Sequence, residues 1–184
     1  MLYLRISTYI KIKTRILLFI SGFLLVFSSC ETLKNTISGK LTTHSECNNS
    51  YDIKSAVSIQ KGVQTPDSMS CVEYSYNAEK EELTLIHRNS GFNCCPGKLS
   101  GKISLKNDTI LIEEREANLA AMCDCNCLYD LTFVLNDVSA DKYVLKFIEP
   151  YAMGTTPLIF DIDLPRKGSD IFCVVRKKYP WMGM

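Results

Sequence analysis

The stretch from Ala120 to Leu135, AAMCDCNCLYDLTFVL, sets Cys123, Cys125 and Cys127 on every second position, and Cys94 and Cys95 stand side by side upstream. Thiols this close in sequence could do three kinds of chemistry. They could close disulfides, hold a soft ion such as copper or zinc with His87 nearby, or cycle electrons. Redox cycling of the common kind uses a C-x-x-C spacing, which the chain does not contain. Structural zinc sites space their cysteines by two to four residues. An extended C-x-C-x-C run spreads its outer sulfurs over about 13 Å, too far for one ion with Zn–S bonds of about 2.3 Å.

Location decides among these chemistries. Residues 1–15 carry Arg5, Lys11, Lys13 and Arg15 and no acid, and ILLFISGFLLVF after them is apolar apart from one Ser and one Gly. A basic region followed by such a run reads as an export signal, shorter than the roughly 20 apolar residues of a spanning helix. Ser28 and Ser29 directly before Cys30 resemble the lipobox of a bacterial lipoprotein precursor, with Phe27 where that pattern usually has Leu. Acyl chains of the palmitate kind contribute roughly 0.8 kcal/mol per buried methylene, and two or more hold a protein stably on its membrane. The expectation is a signal peptide over 1–29, a lipidated N-terminus and tether over 30–36, and one β domain over 37–184. The cell envelope is the expected location, with the anchor in the inner or outer membrane and the domain in the periplasm or at the cell surface.

With Cys30 assigned to lipid, eight of the nine cysteines remain as disulfide candidates: Cys47, Cys71, Cys94, Cys95, Cys123, Cys125, Cys127 and Cys173. In an oxidising compartment such thiols pair and stay paired, although eight cysteines leave 105 connectivities open. Neighbouring same-face positions on a strand lie about 7 Å apart, beyond the usual disulfide span of about 5.5 to 6 Å, so Cys123 and Cys125 need partners elsewhere. The expected arrangement joins two cysteines of the triplet to Cys94 and Cys95, and leaves Cys47, Cys71, Cys173 and the third for two further bridges. A metal-handling site for copper or zinc, built from Cys94, Cys95, Cys123, Cys125, Cys127 and His87, is the alternative. The favoured reading needs no cofactor.

The elements that must carry these residues are strands. Helical periodicity is nearly absent, and apolar residues recur with period two between Asn, Asp, Gly and Pro. SGKLTT, DIKSAVSIQ, CVEYSYN, ELTLIHR, GKISLK, DTILIEER, CLYDLTFVL, KYVLKFIE, LIFDIDL and IFCVVRK are the candidates. About ten short strands predict an all-β fold, an antiparallel sandwich that is immunoglobulin-like or related and stapled by disulfides. Asn107-Asp108 reads as a tight hairpin turn and Pro96-Gly97 as a type II turn. FVLNDVSADKYVLKF reads as a longer hairpin. If the chain is extended from Cys123 to Leu135, the three thiols face inward with Tyr129, Leu131, Phe133 and Leu135.

Charge and motif content narrow the function. The chain has 21 basic and 20 acidic residues, and loss of the leader's four basic ones leaves a domain of about −3 without the basic cluster that nucleic acid requires. Neither G-x-S-x-G nor H-E-x-x-H occurs, so no enzyme is indicated and no catalytic residue is assigned. The acids of EEREAN, AEKEEL and FDIDL read as solvated, and His87 as an inward or strand-end histidine. Tyr179 and Trp181, beside a basic cluster, are a candidate aromatic contact surface for carbohydrate or protein, with packing on the end of the sandwich as the other reading.

FNCCPGKLSGKISLKNDTILIEE, CDCNCLYDLTFVLNDVSADKYVLKF and VVRKKYPW, within about residues 83–181, resemble uncharacterised cysteine-rich lipoproteins of Bacteroidetes-type Gram-negative bacteria. The resemblance implies a secreted all-β domain and brings no activity. It also makes Ser68 in DSM and Thr109 in DTI candidate O-glycosylation sites. The sequence reading is therefore a membrane-anchored extracytoplasmic lipoprotein, a non-enzymatic binding or structural module with an unidentified protein or carbohydrate ligand.

Overall fold

Period-two runs become strands here because one side of each can be buried while the other stays wet. The computed structural model describes residues 36–48, 65–117 and 123–181, and among these it holds nine strands and no helix. They are β1 (Ser38–His44), β2 (Met69–Asn77), β3 (Glu82–Asn93), β4 (Leu99–Lys106), β5 (Thr109–Glu116), β6 (Asn126–Asn136), β7 (Lys142–Ile148), β8 (Ile159–Asp163) and β9 (Ser169–Val175). The signal peptide, Cys30 and the candidate strand over 52–60 lie outside the described residues.

A five-stranded sheet in the order β1-β6-β3-β2-β9 faces a four-stranded sheet in the order β4-β5-β7-β8, a sandwich-like arrangement. Val72, Leu83, Leu85, Leu131, Phe133 and Leu135 from the first layer pack with Ile110, Ile112, Leu145, Phe147, Phe160 and Ile162 from the second. Each such side chain contributes roughly 1.5 to 3 kcal/mol on full burial. The layers close tightly where Gly101 passes Phe133: a Cβ there would sit 2.4 Å from the ring's Cε1. At the other side Phe160 of β8 stacks on Phe172 of β9, ring centroids 4.5 Å apart.

Both turns form. Lys106 pairs with Thr109 around Asn107, whose φ is 55°, and Gly97 after Pro96 has φ 62°. The longer hairpin does not. β6 lies in the five-stranded sheet with β1 and β3 on either side, so β7 has no free edge to join, and residues 137–141 carry the chain to the opposite layer. Val138 anchors that crossing, fully buried with its N–H on the Glu81 carbonyl. β7 then runs parallel to β5, among the described residues the one departure from antiparallel pairing. A second correction concerns the triplet: β6 begins only at Asn126, so Cys127 faces the core while Cys123 and Cys125 lie before the strand at the end of the sandwich.

Candidate functional site

All eight cysteines are paired: Cys47–Cys127, Cys71–Cys173, Cys94–Cys125 and Cys95–Cys123. Two of the triplet take Cys94 and Cys95, as the spacing predicts. Asn93 organises this knot. Its Oδ1 accepts the N–H groups of Cys95 and Cys123, and its Nδ2 donates to the carbonyls of Cys123 and Cys125. Reaching an ion with Cys94, Cys95, Cys123, Cys125, Cys127 and His87 would require breaking these bridges, and His87 lies elsewhere. Among the described residues no group of three or more His, Cys, Asp or Glu is arranged to hold a metal ion.

His87 sits between the layers in a polar cluster that sequence reasoning missed. Ser70 Oγ is 2.7 Å from His87 Nε2, and His87 Nδ1 is 2.6 Å from Glu114 Oε1. Ser90 donates to the other oxygen of Glu114 at 2.6 Å. Beyond Ser70, Arg176 forms a short ion pair with Glu149, donates to Thr155 Oγ1 and the Thr156 carbonyl, and reaches Ser70 Oγ at 3.4 Å. The second Glu149 oxygen, Oε1, has no hydrogen bond and lies 3.7 Å from His87 Nε2.

Strand parity puts these residues there. Ser70 is in phase with Val72 and Tyr74, and Glu114 with Ile110 and Ile112, so both point inward. A bulge in β3 does the rest. Its register against β6 shifts between His87 and Ser90, with Asn89 at φ 57°, so the inward positions change from Leu83, Leu85 and His87 to Ser90 and Phe92. Both polar residues thereby reach one carboxylate. Glu149 and Arg176 stand just past the ends of β7 and β9. Glu114 corrects the reading of EEREAN as a solvated face: it is 3% exposed. Period two alone marks Glu114 and Ser70 as inward; nothing local marks the Glu149 and Arg176 pair.

Electrostatics follow from this packing. Burial alone would push the His87 imidazole down, but the Glu114 charge and hydrogen bond, with Glu149 behind them, outweigh it and raise His87 above 6.5 despite Arg176. Burial, helped by Glu114, pushes the Glu149 carboxyl up, against His87 and Arg176. With His87 as imidazolium, two carboxylates face two cations.

The order serine, imidazole, carboxylate is that of a nucleophile, its base and the group that orients the base. Here it is closed. Ser70, His87 and Arg176 have no solvent exposure, Ser70 is paired to Val174 within the sheet, and the Arg176 guanidinium lies against its hydroxyl. A shallow groove of about 370 Å³, with Asp108, Asp161 and Asp163 around Lys142, lies at the other end of β7.

Trp181 is 1% exposed, so it packs on the end of the sandwich and adds nothing to an aromatic surface. Its Nε1 donates to the Asn89 carbonyl at 2.7 Å, its ring lies against Gly91, and Arg176 sits 5.0 Å over it. Tyr179 stays 41% exposed, with its hydroxyl held by the backbone of Asn126. Thr109 starts β5 at the hairpin turn and Ser68 precedes β2, both half-buried. Comparison with protein-family models, with curated proteins and with solved structures finds no match to the chain.

Proposed function

We propose that the chain is a membrane-anchored lipoprotein of the cell envelope whose β domain binds or scaffolds a protein or carbohydrate ligand without catalysing a reaction. The observation that carries this reading is that all eight cysteines after Cys30 pair with one another inside the fold. Such full pairing belongs to oxidising compartments outside the cytoplasm. The closed state of Ser70, His87 and Glu114 supports a role other than catalysis. A binding role is supported by the outermost strands β8 and β9, which present Ile159, Ile171, Phe172 and Val175 to solvent. Exposed edges of this composition accept partner strands or faces.

Mass analysis of protein from the membrane fraction, with a non-reducing peptide map, tests the reading. An acylated Cys30 as the first residue and no free thiol are expected; an intact leader with reduced cysteines would overturn it. Covalent labelling of Ser70 in the native protein by a fluorophosphonate would remove the non-catalytic part.

A further inference from the structure

The groups that face His87 are Ser70 from β2, Ser90 from its own strand, Glu114 from β5, Phe147 from β7, Glu149 past β7 and Arg176 past β9. They divide into two sets. Ser70, Ser90, Glu114 and Phe147 lie within strands of the two sheets. Glu149 and Arg176 lie outside the strands, Glu149 opening the segment 149–156 and Arg176 opening the C-terminal strap 176–181. The second set lies past the strand ends: the Arg176 backbone stays tied to the Ser68 carbonyl at 2.8 Å, and the two side chains can leave the cluster without breaking a pair within either sheet.

Arg176 joins the two segments into one lid, which is also fastened by Tyr151 on Glu116 and Tyr179 on the Asn126 backbone. It holds Glu149, Thr155 and Thr156 through its guanidinium and lies over Trp181 of the strap. One oxygen of Glu149 is bound by Arg176, whereas Oε1 has no hydrogen bond and lies 3.7 Å from His87 Nε2. The two carboxylates of the cluster, Glu114 and Glu149, are therefore matched by two cations only while the imidazole carries its second proton. With His87 neutral, Arg176 alone faces the carboxylates of Glu114 and Glu149, and the cluster holds one uncompensated buried charge. Carrying Glu149 into water together with its Arg176 partner relieves that cost and leaves both sheets intact.

We propose that His87, Glu149 and Arg176 form a proton-operated latch that holds the lid of residues 149–156 and 176–181 shut while His87 is charged and releases it when His87 is neutral. Release uncovers Trp181 and its seat on Asn89 and Gly91. This goes beyond the anchoring and binding roles proposed above and does not depend on them.

Trp181 is the single tryptophan of the chain, so its emission reports on the lid alone. Emission and acrylamide quenching are followed from about pH 5 to about pH 9, the range that brackets histidine titration, with far-ultraviolet circular dichroism recording the sheets. The expected result is a reversible one-proton red shift with a several-fold rise in quenching, centred above 6.5, while the β signal stays constant. In Glu149→Gln, which keeps the shape and the bond to Arg176 without the charge, the transition should vanish with Trp181 closed throughout. In His87→Gln the tryptophan should be open at every pH. Constant wild-type emission, a transition unchanged in Glu149→Gln, or one that coincides with loss of the β signal would each overturn the latch.

Discussion

Cys94–Cys125 and Cys95–Cys123 close loops of separation 31 and 28, one nested inside the other. Treated separately, each is worth about 3.6 to 3.7 kcal/mol in the chain-entropy description, about 7 kcal/mol together. Nesting changes this. With Cys94–Cys125 closed, forming Cys95–Cys123 closes only the ring Cys123, Asp124, Cys125, Cys94, Cys95, and a ring of about five residues is worth about 2 kcal/mol. Replacing either pair with serine should therefore cost about 2 kcal/mol, and replacing both about 5 to 6 kcal/mol. The loss is more than the sum of the single losses. Guanidinium chloride unfolding of the two single-bridge variants and the variant lacking both forms a cycle that reads the coupling directly. Single losses near 3.6 kcal/mol that simply add would refute the reasoning, because the bridges would then restrain the unfolded chain independently.

Three further outcomes are expected. Glu149→Ala leaves the Arg176 guanidinium buried without its partner and should cost about 3 to 5 kcal/mol in the same unfolding assay, and a loss below about 1 kcal/mol would mean that the pair is hydrated in the folded state. Gly101→Ala pushes a Cβ into the Phe133 ring and should cost about 1 to 3 kcal/mol, whereas Gly168→Ala, whose Cβ would stand 3.7 Å from the nearest atom, should be nearly neutral by thermal melting. The folded values of His87 and Glu149 are both raised, so their stabilisation is complete below the unfolded values of 6.5 and 4.5 and is lost as pH rises through the folded ones. The unfolding midpoint should fall on the alkaline side, and the fall should be absent in a His87→Gln, Glu149→Gln double variant.

Alternation is the part of the fold that the sequence displays most openly. Strands such as β5, β6 and β7 coincide with runs of alternating residues, because a half-buried strand needs no information from elsewhere to show its inward face, whereas β9 carries the continuous apolar run 171–175. Sheet membership is different. KYVLKF carries the same pattern whether it pairs with β6 or with β5, and only the occupation of both edges of β6 decides between them. The same limit applies to the site. Glu114 could be found from its phase with Ile110 and Ile112, yet polarity argued for water and prevailed because no partner was visible locally. That partner, His87, lies 27 positions away in the opposite layer. The bulge at Asn89 hides Ser90 as well, since strict alternation after His87 would turn it outward. Tyr179 and Trp181 are two residues apart in one basic segment, yet one is exposed on the Asn126 backbone and the other buried against Gly91 and the Asn89 carbonyl, contacts that lie far away in sequence.

The disulfides and the buried charges act on different joints. Cys47–Cys127 ties the chain after β1 to β6, Cys71–Cys173 ties β2 to β9, and the knot ties the end of β3 to the approach to β6. Every bridge thus joins neighbours of the five-stranded sheet, and none reaches β4, β5, β7 or β8. The four-stranded layer is held by its own ladders, by apolar packing, and by polar contacts that cross between layers from Glu114 to His87 and Ser90 and from Glu116 to the Asn93 N–H. Reductant and alkali should accordingly weaken separate things. Reduction releases the unfolded-state restraint on one sheet, whereas deprotonating His87 loosens the contact between the two. Neither stress therefore removes both kinds of restraint at once.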